Sequence, residues 1–325
     1  MRTSKAVLAA MALLGPLLTG CSDSDDDGAV KVRFGYNSDF NGASLLAVAG
    51  KRGLWKKHGL KADTKSFTNG PLQIQALGAG DLDYGYVGPG ALWLPATGRA
   101  KIIAINSLGF ADRLIAKPGI TDVASLKGKK VGVPEGTSGD MVLRLALERA
   151  GMTIKDVNKV PMDPSTVVSA FSAGQIDAAG IWYPLVDTVK KRVPKLVELA
   201  KNADFYPGTS FPTAFVSATK ADPATTAKVL KVIQEANDHR AAHPDEAVAA
   251  TAKFLKIPEP GLKAEAANIR LVTSAELARQ TRDGTIGRWL HGLQRLFVAF
   301  GKLREPVDPA TFYAGDQYVQ AVQPK

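Results

Sequence analysis

The chain has 325 residues, 45% hydrophobic and 22% charged, which is ample apolar material for two packed cores and excludes a disordered polymer. Its formal net charge of +10 raises nucleic acid as a partner. However, Lys and Arg are scattered, and the local groups Lys129-Lys130 and Lys190-Lys191-Arg192 carry no interleaved aromatics, so the excess reads as a solvated basic surface with no nucleic acid. One Cys excludes an internal disulfide, and neither it nor the dispersed His58, His239, His243 and His291 falls into a metal-ligand spacing, so no metal or cofactor is expected.

The amino terminus reads as a targeting segment. Arg2 and Lys5 form a basic start, and residues 6–18 form an apolar run shorter than the ~20 residues a spanning helix needs. Leu18-Thr19-Gly20-Cys21 then resembles a bacterial lipobox, in which the Cys is diacylated and becomes the first mature residue. An ordinary signal peptide that ends beside a Cys is the plainer alternative; the lone Cys of the chain standing at that place favours lipidation. Residues 22–28 are polar and acidic, as expected of a disordered tether. The expected division is a signal peptide over 1–20 and a lipid-anchored tether over 21–30, which puts the protein outside the cytoplasmic membrane.

Residues 30–36 alternate as a strand does, with Val32, Phe34 and Tyr36 against Lys31 and Arg33. A loop, a helix ending near Gly53, and a second strand over 62–67 follow. Asn69-Gly70-Pro71 carries a cap and a Pro suited to a first helical turn. Ala79-Gly80-Asp81-Leu82-Asp83 then leads into a short apolar run that ends at Gly88-Pro89-Gly90. This unit has an echo: Ala173-Gly174-Gln175-Ile176-Asp177 leads into Ala178–Ile181 and ends at Trp182-Tyr183-Pro184. Each copy follows an apolar-periodic helix, with Gly80 or Gly174 where a helix needs a left-handed stop. Two such units predict two lobes built on one plan. Residues 101–106 read as a strand and 108–116 as a crossover. The second lobe opens with a strand near 130–133 and a helix over 141–150, and a strand lies near 159–162. Residues 211–217 read as an extended return crossover. From Asp222 onward the pattern is helical, with Asp222-Pro223, His243-Pro244 and Asp308-Pro309 as starts. No Gly-x-x-x-x-Gly-Lys-Ser/Thr loop occurs, so the chain is not itself an ATPase.

This order predicts an α/β, two-lobed chain with a helical C-terminal segment, and it looks like a type II periplasmic-binding-protein fold. Phe67-Thr68-Asn69-Gly70-Pro71, Ala79-Gly80-Asp81-Leu82-Asp83, Leu126-Lys127-Gly128-Lys129-Lys130-Val131 and Ala173-Gly174-Gln175-Ile176-Asp177-Ala178 together resemble the solute-binding proteins of ABC importers for aliphatic sulfonates, taurine and nitrate. The resemblance implies lobe 1 over 31–110 plus 215–325 and lobe 2 over 111–214. It also implies a small-molecule solute, an ABC permease as membrane partner, a monomer and no catalysis. Two departures stand out. Trp182-Tyr183-Pro184 replaces the usual Trp-Asp-Pro, and Asp140 follows Gly136-Thr137-Ser138-Gly139, which disfavours a simple anion such as nitrate. An enzyme on the same fold, of the kind that makes a thiamin pyrimidine, is the rival; its Cys-rich motif is missing here. A binding module that feeds a sensor is a third reading.

In open α/β sheets ligands bind beyond the carboxyl ends of the strands. The helix starts at Asn69, Gly70 and at Thr137, Ser138, Gly139 offer N–H groups and partial positive charge to an anionic end; as plain N-caps they would serve only their own helices. Ser38, Gly88, Pro89, Ser107 and Thr213 are candidate wall residues, and Phe40, Trp182 and Tyr183 candidate enclosing aromatics. Asp39 and Asp140 stand at equivalent strand-to-helix loops. Each either receives an ammonium, amidine or ring N–H of the ligand or serves as a helix-start acid. The expected solute is a small anionic or zwitterionic organic molecule, sulfonate- or taurine-like.

Overall fold

The structure, a computed structural model, describes residues 28–322, so the expected signal peptide, Cys21 and most of the expected tether lie outside the described residues. The chain forms eleven strands: β1 (Val30–Asn37), β2 (Leu60–Phe67), β3 (Tyr84–Val87), β4 (Lys101–Gly109), β5 (Asp112–Ala116), β6 (Lys130–Val133), β7 (Asn158–Pro161), β8 (Ala178–Trp182), β9 (Val197–Lys201), β10 (Pro212–Ser217) and β11 (Ile269–Arg270) among the described residues. They make two sheets, β11-β4-β10-β3-β1-β2 and β7-β6-β8-β5-β9.

The sheets share a plan. In the first, β1 lies parallel to β2 and β3, and β10 pairs antiparallel with β3 and β4. In the second, β6 lies parallel to β7 and β8, and β5 pairs antiparallel with β8 and β9. The antiparallel member of each sheet is the strand that arrives from the other one. This corrects the reading of 108–116 and 211–217 as crossovers: β4 runs to Gly109, β5 starts at Asp112, and residues 212–217 are a central strand. The chain crosses at Phe110–Ala111 and between Lys201 and Pro212. The crossings are tied together: Gly109 N donates to Phe211 O at 2.9 Å, and Asn202 Nδ2 donates to Gly109 O at 2.7 Å.

The repeated Asp residues explain the echo. Asp83 enters β3 and accepts from the backbone N of Arg33 on β1 at 2.8 Å, with the Arg33 side chain closing an ion pair at 2.6 Å. Asp177 enters β8 and accepts from the backbone N of Lys130 on β6 at 3.0 Å, with Lys117 at 3.3 Å. Each carboxylate fastens the foot of one parallel strand to its neighbour. The helices before them, Gly70–Ala79 and Pro164–Ser172, are followed by Gly80 at φ 80° and Gly174 at φ 75°.

One apolar core surrounds the first sheet, where Leu45, Leu46, Val229, Leu230 and Ile233 bring helices Phe40–Lys51 and Pro223–Ala242 together. Two smaller clusters cover the second sheet, one with Ile115, Phe171 and Ile181, the other with Leu114, Val133 and Leu143. The helix Ser138–Arg149 lies backbone against backbone on β8: a Cβ on Gly180 would fall 2.2 Å from Gly139 O. Overpacking costs about 1–3 kcal/mol where side chains can move, and backbone atoms move less. Gly180→Ala is therefore expected to destabilise by about 3 kcal/mol in urea unfolding. Gly78→Ala, on an exposed helical position with nothing within 4 Å of the new methyl, should gain about 0.5–1 kcal/mol. Equal effects would remove the close approach as the reason for Gly180.

Candidate functional site

The carboxyl ends of β1, β3 and β8 open on a cavity of about 500 Å³, counted to its mouth. The first sheet and its helices supply Asn37, Asp39, Asn41, Asn69, Gly70, Pro71, Tyr86, Gly88, Pro89, Thr213 and Glu265; the second side supplies Ala111, Asp112, Thr137, Ser138 and Trp182. The sides touch at the rim, where a Cβ on Gly90 would meet Thr137 C at 2.1 Å. Lys302 bridges them further out, with Nζ 3.1 Å from Glu135 and 5.4 Å from the Trp93 ring.

Three carboxyl groups share this cavity, and among the described residues no Lys, Arg or His lines it. Asp39 is the N-cap of helix Phe40–Lys51 and accepts from Gly42 N at 2.7 Å. Glu265, on helix Glu259–Ala266, accepts from Phe40 N at 2.6 Å and Asn41 N at 3.0 Å. Two protein carboxyls thus take the first three N–H groups of one helix, the groups that would otherwise hold an external anion. Asp112 accepts from Asn202 Nδ2 at 2.9 Å through Oδ2, while its buried Oδ1 makes no well-formed hydrogen bond among the described residues, although the Ser138 hydroxyl lies near enough to favour its charged form. Relative exposures of 5%, 5% and 1% for Asp39, Asp112 and Glu265 leave little water to stabilise their charges.

Their acidities respond accordingly. Burial raises Asp39 to about 6, against the pull of Gly42 N–H and the Trp182 and Asn37 side chains. Burial raises Asp112 to about 7, with the Ser138 hydroxyl and Arg113 pulling it down and Asp39 pushing it up. Glu265 is pushed well above the carboxylate range, first by burial and then by the charge of Asp39. Burial likewise raises the Tyr86 hydroxyl, so it stays protonated. The nearest cations are turned elsewhere. Arg113 reaches Glu198 at 3.1 Å and Asn268 at 2.8 Å. The fully buried Arg240 donates to Ser44 Oγ, Asn106 O and Asn237 Oδ1 at 2.8–2.9 Å and meets no carboxylate.

A polar layer fixes the floor. Asn106 Nδ2 donates to Asn41 Oδ1 at 3.0 Å and Thr213 Oγ1 at 3.1 Å, and Ser107 Oγ donates to Asn41 Oδ1 at 2.7 Å. Gln73 holds Asn37 Oδ1 at 2.9 Å while accepting from Tyr86 N at 2.8 Å.

Of the residues expected from the sequence, Asp39, Asn69, Gly70, Gly88, Pro89, Thr137, Ser138, Trp182 and Thr213 line the cavity. The others stand apart from its lining. Ser38 bonds Ser66 at 2.7 Å on the exterior, and Phe40 is core. Ser107 belongs to the layer beneath. Gly139 packs on Gly180. Asp140 accepts from Gly136 N at 3.3 Å and pairs with Arg144 at 3.2 Å and Lys159 at 3.8 Å. Tyr183 lies under Arg113, with Lys190 donating to its hydroxyl at 2.8 Å. Asp112, Glu265 and Tyr86 were not anticipated. Tyr86 stands at the end of the first Ala-Gly-x-Leu-Asp unit, two residues before Gly88, where a cavity wall was already expected. Asp112 opens β5 just past the crossing, where nothing local marks a cavity wall. Glu265 sits on a helical tail with no local mark.

A family model described as NMT1/THI5 like matches residues 41–247. A protein of Brucella abortus (strain 2308), described only as a binding protein, is 56% identical over 292 residues, 89% of this chain and 92% of that one. A Bacillus subtilis (strain 168) protein named for binding aliphatic sulfonates is 31% identical over 249 residues, covering 71% and 73% of the two chains. The fold is that of the alkanesulfonate-binding protein from Xanthomonas axonopodis pv. citri bound to MOPS, with a TM-score of 0.67, 21% identity, and coverage of 87% of this chain and 98% of that one. It is equally that of the desulfurization enzyme DSZB, with a TM-score of 0.66, 15% identity, and coverage of 90% and 98%. Fold alone therefore does not separate binding from catalysis, but the curated relatives at 56% and 31% identity are binding proteins, and the chain belongs to the NMT1/THI5-like family.

Proposed function

We propose that the chain is the extracytoplasmic solute-binding lipoprotein of an ABC importer, a monomer tethered through diacylated Cys21, which closes two lobes on a small organic solute and delivers it to a membrane permease. The observation that carries this is a small cavity lined from both sheets, with three carboxyl groups in its wall and its two sides meeting where Gly90 packs on Thr137–Ser138. Lobe 1 comprises 31–110 with 212–322, since β10 belongs whole to the first sheet and moves the expected boundary from 215 to 212, and lobe 2 comprises 111–211; the paired crossings at Phe110–Ala111 and Phe211 are the hinge, as in other hinge-closing proteins. Against the enzyme reading, the only Cys of the chain is Cys21, and no His lines the cavity.

Between the anionic and zwitterionic solutes expected, the cavity favours a zwitterion. Helix Ser138–Arg149 has no side-chain cap; Thr137 Oγ1 donates instead to Pro134 O at 2.6 Å. Its first N–H groups suit a sulfonate or carboxylate. The carboxyl groups opposite suit an amine. A sulfonate without an amine would leave those carboxyls unanswered.

Thermal-shift screening of the lipid-free chain with taurine, ethanesulfonate, nitrate and amino acids tests solute capture; a ligand at a hundred times its Kd adds ~2.7 kcal/mol to the folded state. Stabilisation by none of these classes, with turnover of a sulfonate or sulfinate, would favour the enzyme reading. Gly90→Val places a branched side chain on the Thr137 backbone and is expected to weaken capture of any stabilising solute about tenfold or more, an overpacking cost of about 1–3 kcal/mol. Its chemical unfolding should stay near wild type, because the open form relieves the clash. Unchanged affinity would place the closing contact elsewhere. Cys21→Ser should move the protein from the membrane to the soluble fraction; retention through a carbonate wash would contradict the anchor.

A further inference from the structure

We propose that Asp39, Asp112 and Glu265 form a receptor for a positively charged nitrogen of the solute, an ammonium or amidinium, and that its capture expels protons from this cluster. The proposal rests on the solute-capture reading above and names the part of the solute that the cavity selects.

Geometry carries it. The two helix-facing carboxyls fill the start of helix Phe40–Lys51, so the anion position there is occupied by the protein itself. Asp112 lines the cavity and has a buried oxygen without a well-formed hydrogen bond, with the Ser138 hydroxyl as its neighbour; such an oxygen costs stability unless a stronger donor answers it. No basic side chain lines the cavity to neutralise the three. The groups that face them are neutral donors: the Tyr86 hydroxyl from β3, Ser138 from the helix opposite, the Trp182 indole from β8 and Thr213 from β10. Arg113 follows Asp112 in sequence but is committed to Glu198, and Arg240 lies behind the floor. A bare metal ion is a poorer occupant, since among the described residues no three such groups are arranged to hold one. An organic cation with several N–H donors meets more than one carboxyl at once, each charged hydrogen bond strengthened by exclusion of water.

Without a solute, the cluster reduces its charge by holding protons, which is what burial does to Asp39 and Asp112. A cation restores the ionised forms, and the displaced protons pass to solvent. Two consequences follow by linkage. The empty protein binds more protons folded than unfolded, so its stability is greatest below pH 4 to 5 as far as these groups are concerned and is lost as pH rises through about 6 and 7. Affinity for a cation moves the other way, rising about tenfold per pH unit for each proton expelled, until the cluster is ionised without help.

The test follows thermal midpoints of the lipid-free chain from pH 5 to 8, alone and with acetamidinium, taurine or ethanesulfonate at about 10 mM. Expected are a midpoint of the empty protein that falls from pH 5 to about 7, a shallower fall in Asp112→Asn and Glu265→Gln, and stabilisation by acetamidinium or taurine that grows with pH. Calorimetry in two buffers of different ionisation enthalpy should then read proton release for wild type and less for Asp112→Asn. Stabilisation by ethanesulfonate alone, independent of pH, would overturn the cation receptor and leave solute capture standing. Failure of both nitrogen probes, or a midpoint profile that Asp112→Asn leaves unchanged, would also overturn it. Loss of solute capture itself would appear differently, as insensitivity of every response to Gly90→Val.

Discussion

Glu265 reaches from the helical tail to the start of helix Phe40–Lys51 and accepts from Phe40 N and Asn41 N at 2.6 and 3.0 Å. This contact joins residues more than two hundred positions apart in sequence. It ties the returning tail to the first strand-helix unit, and it closes a helix start that would otherwise be open. The N–H groups and the helix dipole favour the carboxylate there, while burial and the neighbouring Asp39 oppose its charge. Opposition dominates, so the Glu265 carboxyl is pushed well above the ordinary glutamate range. The rest of the site is arranged about this conflict: Asp39 caps the same helix, Asp112 faces it from the other sheet, and the Asn41–Asn106–Ser107–Thr213 layer holds the floor rigid. Removing a buried polar partner from such a network leaves orphaned groups, so its members depend on one another.

The two sheets solve the same problem at their opposite ends. At the feet of the strands, Asp83 and Asp177 are carboxylates with a basic side chain and a backbone N–H each, and both stay below the ordinary aspartate range although partial burial works against it. At the carboxyl ends, Asp39 and Asp112 are carboxyls without a cation and lie above it. The residue type is the same, and the supply of partners decides the charge. A carboxylate that is paired and partly wet holds a fold together. One that is dry and unpaired is held for a partner that has yet to arrive, and pKa values displaced by burial mark such places.

Much of the fold was legible because its signals are local. Alternation in residues 30–36, the Asn69 and Asp222 caps, and the stops at Gly80 and Gly174 each act within a few residues, and each formed as read. The echo of Asp83 in Asp177 gave the two-lobe plan, because both Asp residues bond the next parallel strand. Residues 108–116 misled because Gly109 and the polar pair Asp112-Arg113 interrupt the apolar pattern, so the end of one strand and the start of another read as a single crossing segment. The site was half legible for a related reason. Strand ends and helix starts announce Asn69, Gly88, Ser138 and Trp182. Asp140 looked equivalent to Asp39, yet Lys159 from β7 and Arg144 one turn along its own helix draw it away. Glu265 has no local signal at all, since its position depends on how the tail returns.

A helix start suited to an anion can be turned to a cation without altering a strand. It is enough to place a carboxyl on the N–H groups where the anion would sit. The N–H groups remain satisfied, so the helix loses nothing, and the face presented to the cavity changes sign. Glu265 occupies those N–H groups from a helix outside the first strand-helix unit, so on the cation-receptor proposal a single position in the tail sets the polarity of a site built elsewhere. Asp112 completes the change from the second sheet, because Asn202 occupies one of its oxygens and leaves the other to the cavity. On this reading specificity in the family is set by whether helix starts are left open, as at Ser138, or filled from within, as at Phe40. The site here holds one of each, which is the arrangement a zwitterion with a dominant cationic end would meet.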